Sequence, residues 1–165
     1  MQRTISIQRA LGFTVALAVG CGISVLAQTI PPPDAFEGTW KLNTAKSKFD
    51  PGPAPKSMTA TFVSAADAAR LTLDMVAADG TTSTWSYLAK LDGQNYPLDG
   101  NPDADTISAK RINARSVETT FKKGGKVTMV NTRTVSADGK TMTVTSTGTN
   151  AQGQKVNNVQ VFDKS

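Results

Sequence analysis

From Ser57 to the C-terminus, apolar and polar side chains alternate one for one in short runs. Met58, Ala60 and Phe62 alternate with Thr59, Thr61 and Val63. Leu71, Leu73 and Met75 alternate with Thr72 and Asp74, and Trp85, Tyr87, Ala89 and Leu91 with Ser86, Leu88 and Lys90. A period of two belongs to strands that bury one face. Similar runs follow at 95–98, 106–112, 117–122, 127–135, 142–147 and 156–162, rich in threonine and β-branched residues. Between the runs stand Asp79-Gly80, Asp92-Gly93, Asp99-Gly100, Gly124-Gly125, Asp138-Gly139 and Gln152-Gly153. These residue types tolerate the positive φ of tight hairpins. No segment carries a helical period, and residues 65–69 read as part of a longer hairpin connection.

One more strand precedes these, in Phe36-Glu37-Gly38-Thr39-Trp40-Lys41-Leu42-Asn43. Gly38 permits a close backbone approach. Trp40 offers a large apolar ring whose N–H needs an acceptor, and Lys41 and Leu42 alternate outward and inward. That makes ten strands in one domain of about 130 residues, at the spacing of an up-and-down antiparallel sheet. Closure into an all-β, ten-stranded barrel removes the exposed edges of an open sheet. Alternation alone leaves a two-sheet sandwich open. Residues 43–56, with Pro51-Gly52-Pro53-Ala54-Pro55, exclude a helix or a central strand. They read as a long ordered loop over one end of the barrel.

The N-terminus is different. Arg3 and Arg9 precede an apolar run from Ala10 to Val25-Leu26-Ala27, the pattern of a secretory signal peptide with cleavage after Ala27. An uncleaved anchor is the alternative. The domain plan is therefore a leader at 1–27, a proline-rich spacer at 28–35 and a barrel at 36–165, exported to the periplasm or beyond. Cys21, the only cysteine, sits in the leader. Val19-Gly20-Cys21 bears a faint likeness to a lipidation site, but the apolar run continues past it. The mature chain then holds together without a disulfide.

Composition removes several kinds of chemistry. Histidine is absent, which excludes His-based triads and histidine metal ligands. The formal charge of +5 loses two with Arg3 and Arg9, leaving +3 on the mature chain. That excess suits solubility and is no nucleic-acid footprint. No serine stands beside a recognisable base. Asp74 and Glu118 fall on outward faces, and Gly124-Gly125 precedes no helix that would make it a phosphate loop. No enzyme activity, cofactor or metal is expected. Asp99-Gly100-Asn101-Pro102-Asp103-Ala104-Asp105 echoes a calcium loop but has Ala104 at the sixth place and Lys110 at the twelfth. It reads as an acidic hairpin bonded to its own backbone.

The stretch Phe36-Glu37-Gly38-Thr39-Trp40-Lys41-Leu42 resembles the opening of the fatty-acid-binding-protein and lipocalin (calycin) superfamily. The chain is also similar to secreted bacterial proteins with a lipocalin-like domain. The resemblance implies a barrel enclosing a small hydrophobic or amphipathic ligand. Two positions depart from it. Fatty-acid-binding proteins place a helical pair where residues 43–56 are proline-rich. Their last strand carries Arg-x-Tyr, where this chain has Gln160-Val161-Phe162. Gln160 can bond a carboxylate but lacks the charged bidentate clamp, which argues against a fatty acid and leaves a neutral apolar ligand open.

Trp85 and Tyr87 share one strand face, with Phe62, Met75, Phe121, Met129 and Met142 as cavity neighbours. Rigid aromatics and flexible methionines suit varied apolar ligands. The competing reading is plain core filling, which is favoured for all but Trp85 and Tyr87. If Ile107, Ala109 and Arg111, and Val127, Met129, Asn131, Arg133 and Val135, form interior faces, both arginines point inward. Each then needs a partner: a ligand anion, or a place at the mouth or over the Trp40 ring. The second is favoured in general, with Arg133 the best ligand anchor. The expected protein is a monomeric carrier with one small apolar ligand, no nucleic-acid partner and no stable membrane insertion after cleavage. The alternative is a periplasmic interaction or inhibitor module with a packed barrel, working through the 43–56 loop.

Overall fold

The alternating runs become ten strands: β1 (Gly38–Leu42), β2 (Ser57–Ala65), β3 (Ala68–Val76), β4 (Thr82–Lys90), β5 (Asp92–Asp99), β6 (Thr106–Asn113), β7 (Ser116–Lys123), β8 (Lys126–Val135), β9 (Thr141–Thr149) and β10 (Lys155–Lys164). The computed structural model describes residues 34–65, 67–150 and 152–165. The expected leader, its cleavage site, Cys21 and residues 28–33 of the spacer lie outside these. Each strand pairs antiparallel with the next, and β1 pairs with β10, so the sheet closes into a barrel. Closure decides against the sandwich. Because the strands run up and down, one end gathers the start of β1 with the β2–β3, β4–β5, β6–β7 and β8–β9 turns. The other end gathers the start of β2 with the β3–β4, β5–β6, β7–β8 and β9–β10 turns.

The first end is sealed by the opening motif. Trp40 is fully buried, and its Nε1–H donates to the Phe36 carbonyl at 2.7 Å. The chain doubles back over four residues to make that bond, and Gly38, at φ +112°, supplies the conformation. The β2 partner of Trp40 is Ala60, small enough to leave the indole its space. Lys164 covers the ring with its Nζ 5.0 Å from the centroid. Phe36 packs against Phe62, ring centroids 6.0 Å apart. Asp34 joins this plug, pairing with Arg111, whose guanidinium lies 6.0 Å from the Phe36 centroid. Arg111 thus serves the plug, and Lys164 takes the place over Trp40 that was expected of an arginine.

Several local expectations are corrected. β2 and β3 run on to Ala65 and Ala68, which are paired, so the connection is a tight hairpin and not a long one. β5 begins at Asp92, earlier than 95, with a bulge between Asp92 and Asn95 and Gly93 at φ +80°. Asp92 caps that bulge by accepting from the Gln94 N–H. On β8, Phe121 pairs with Met129 but Lys122 pairs with Val127, so Thr128 is an extra residue. The bulge reverses the facing of everything before it. Val127, expected inside, is exposed.

Residues 43–56 do not roof the barrel. A short 3-10 turn, Thr44–Lys46, is capped by the Asn43 side chain. The chain then runs along β10: Lys48 exchanges both backbone bonds with Val159, and the Asn157 N–H reaches the Asp50 carbonyl. β1 is too short to cover the whole edge of β10, pairing only at Trp40, Lys41 and Leu42. The polar segment completes the wall that β1 leaves open.

Candidate functional site

Above the plug lies a cavity of ≈ 290 Å³. Its position follows from side-chain size. At the sealed end the interior positions carry Trp40, Phe36, Tyr87 and Val117, all part of one buried core. Toward the other end the interior is lined by Met58, Met75, Ser83, Ser146 and Asn158. These are too short or too flexible to fill the width. Residues Asn101, Pro102, Asp103 and Ala104 of the β5–β6 loop border the same cavity at the mouth. The roof expected of residues 43–56 is therefore supplied by this loop.

The loop is held close by geometry that only glycine allows. Gly100 has φ +79°, and a Cβ there would stand 2.5 Å from the Thr84 carbonyl oxygen. Two of the loop's side-chain oxygens, one from an amide and one from a carboxylate, are engaged with backbone. Asn101 accepts from the Asp103 N–H at 2.8 Å, and Asp105 accepts from the Gly124 N–H at 2.9 Å. Among the described residues no group of three or more histidine, cysteine, aspartate or glutamate side chains is arranged to hold a metal ion.

Of the eight residues singled out as ligand contacts, Trp85, Phe62, Met75, Phe121, Met129, Arg133 and Gln160 all border the cavity. Tyr87 does not. It lies deeper, buried beneath Arg133, and borders a separate void of ≈ 20 Å³ beside Phe36 and Arg111. Trp85 stacks on Tyr87 at 6.4 Å and meets Phe121 edge-on at 5.9 Å, so its ring is fixed from two sides. Gly38 and Trp40 belong to the plug, away from the cavity.

Arg133 is the chemically distinctive group. Only 5% of it is exposed. Its Nη1 donates to the Tyr87 hydroxyl at 3.0 Å and its Nη2 to the Thr119 hydroxyl at 2.7 Å. The guanidinium carbon lies 5.3 Å from the Phe62 ring centroid. These partners are neutral, and Nε has no protein acceptor. The salt bridges among the described residues are Lys46–Asp163, Lys90–Asp67 and Arg111–Asp34, none of which reaches Arg133. A buried cation with only neutral partners is costly and offers itself to an anion or a strong acceptor.

Sequence reasoning missed Ser83, Ser146, Asn158 and the loop residues 101–104, and it placed Asn131 on an interior face without giving it a role. A signal was present for some. Ser146 continues the inward series Met142, Val144, Ser146, and a polar residue at an inward position is the informative kind. The loop carried no such signal, since its place over the mouth depends on where β4 stands.

No protein-family model matches the chain, and no curated protein matches it. Among solved structures the chain is similar to zebrafish ileal bile acid-binding protein in complex with cholic acid. It is 17% identical, with a TM-score of 0.50, over 79% of this chain and 99% of that one. At that identity the likeness concerns the fold. With the closed ring of ten antiparallel strands, it shows that the chain shares the β-barrel fold of that bile acid-binding protein.

Proposed function

We propose that the chain is an exported carrier that holds one small hydrophobic or amphipathic molecule inside its barrel. The observation that carries this reading is the cavity of ≈ 290 Å³, apolar over most of its surface, with one buried and anion-free guanidinium at its floor. Ligand sites combine such an apolar lining with a few fixed polar groups. The likeness to a structure that holds cholic acid supports a binding barrel over a packed interaction module. The leader-like residues 1–27 support export to the periplasm, and the plug and closed edges support a monomer.

Native mass spectrometry of the purified protein, followed by organic extraction, tests the reading. A co-purifying apolar compound, or uptake of the dye ANS that such a compound displaces, is the expected result. A protein that is repeatedly empty and indifferent to ANS would favour the alternative, the packed module.

A further inference from the structure

Below the mouth, where Asn101 and Asp103 stand, the polar side chains of the cavity are gathered on one wall. Across β2, β3 and β4 the strand register sets Ala60, Leu73 and Trp85 in one transverse row, with Met58 and Met75 beside it toward the mouth. Phe62 and Leu71 lie one row deeper. This wall is apolar from floor to mouth except for Ser83. Across the ring stand β8 and β9, five strands from β3 and β4, with β10 next to them, and this side also bears Met129, Met142 and Phe162. There the register aligns Asn131, Ser146 and Asn158 in a single row across three strands. The next row inward holds Arg133 and Gln160 on either side of Val144. All five polar side chains border the cavity.

A linear amphiphile, polar at one end and apolar along its length, is matched by a site whose polarity changes with depth. This site asks for polarity across the width of the ligand. Two polar atoms on the wall refine that demand. Arg133 Nε is a donor without a protein acceptor, and Asn131 Oδ1 is an acceptor without a protein donor. A carboxylate satisfies the first and cannot satisfy the second, because it has no proton to give. A hydroxyl or amide N–H on the same edge of the ligand supplies it. Size sets a further limit. The cavity stands at the lower edge of the range of about 300–1,000 Å³ that holds drug-sized ligands, which suits one or two rings and not a four-ring steroid acid.

We propose, resting on the binding-barrel reading, that the ligand is a small, flat ring compound with one bare edge and one edge carrying both a hydrogen-bond donor and an acidic or strongly accepting group. The bare edge lies on the Ala60–Leu73–Trp85 row. The polar edge meets Asn131 and Arg133, with Ser146, Asn158 and Gln160 beside them.

Calorimetric titration of the purified protein with four probes tests this: 3-hydroxy-2-naphthoate, 2-naphthoate, decanoate and cholate. The hydroxynaphthoate should bind tightest, by about tenfold or more over the other three, the scale of one or two hydrogen bonds to charged or buried groups. Asn131→Leu should remove its advantage, so that hydroxynaphthoate and 2-naphthoate bind within about twofold of each other, and the thermal melt of that variant reports whether it folds. Gln160→Leu provides a second variant on a different strand, with the same expected loss of preference. Decanoate or cholate binding as tightly as the hydroxynaphthoate would overturn the proposal and leave the carrier standing. Binding of none of the four probes, with ANS also excluded, would overturn both.

Discussion

Replacing Trp40 by alanine removes the group on which the sealed end depends. The side chain is fully buried, and a buried tryptophan withdraws about 200 Å² from water. At about 25 cal/mol per Å² that is about 5 kcal/mol, less the small part that alanine retains. The Phe36 carbonyl also loses the indole donor at 2.7 Å, worth about 1 kcal/mol net. Ala60, directly across the strand pair, is too small to fill the space. The expected loss is therefore about 4–5 kcal/mol, within the range for truncating buried aromatics. Against a total stability of about 5–15 kcal/mol this is severe. Urea unfolding followed by the remaining fluorophore, Trp85, measures it. With a slope of about 2 kcal/mol per molar, the midpoint should fall by about 2 M. Trp40→Phe should lose much less, because it keeps most of the ring burial and forfeits chiefly the hydrogen bond. Trp85→Ala, whose residue is only half-buried at the cavity wall, should lower ligand affinity more than it lowers the midpoint. A Trp40→Ala midpoint within about 0.5 M of the parent, well under the shift worked out from burial, would refute the argument that this motif seals the barrel.

Arg133→Met should weaken acidic ligands by about 10–100-fold, the worth of one charged hydrogen-bonded contact, while neutral apolar ligands bind within a factor of about three by the same conversion; equal losses for both classes in a titration would refute the anchor role. Acid should erode stability before base does. The Asp163 carboxyl is held below its usual value by the Asn43 amide and then by Lys46, Asp105 by the Gly124 N–H and Thr106, and Asp138 by Ser136. A carboxylate whose folded pKa is lowered stabilises the fold above its unfolded value of about 3.9 and loses that contribution as pH falls through the folded value. With no histidine in the chain, urea midpoints should stay level from about pH 5.5 to 8 and decline below about pH 4; a step near pH 6.5 would contradict this. N-terminal sequencing of the osmotic-shock fraction should find Gln28 first, and an intact N-terminus or a diacylated Cys21 in the membrane fraction would replace the carrier by an anchored protein.

What the sequence made legible is what depends on short separations. The alternation at 57–63 and 71–75 needs only neighbours to be read, and the motif from Phe36 to Trp40 is closed by a bond between residues four apart. The turn signals also held where the glycine sits at positive φ, as at Gly80, Gly139 and Gly153. Errors arose wherever an extra residue entered a strand. Thr128 reverses the facing of Val127, and alternation alone gives no hint of it, because Val127 and Met129 look equally apolar. The segment 43–56 was misread for a different reason. Its prolines exclude a regular strand, but its role is set by the unpaired edge of β10, which is visible only once β1 is seen to stop at Leu42.

The polar wall lies beyond that horizon for the same physical reason. Asn131, Ser146 and Asn158 are widely separated along the chain, yet β-sheet register makes them lateral neighbours. Each alone looks like an ordinary polar residue in a threonine-rich strand. Their row acquires meaning only against the apolar row opposite, and that contrast exists only in the closed barrel. An interior that leaves a cavity and a buried guanidinium without an anion is less stable than a filled one. The sealed end must carry that deficit, which is why the specific motif sits there and not at the mouth. Filling the cavity then returns stability to the fold: a ligand at about a hundred times its dissociation constant adds about 2.7 kcal/mol. On the proposed binding reading, stability and binding belong to opposite ends of one barrel, and substitutions at the two ends should act on the two properties separately.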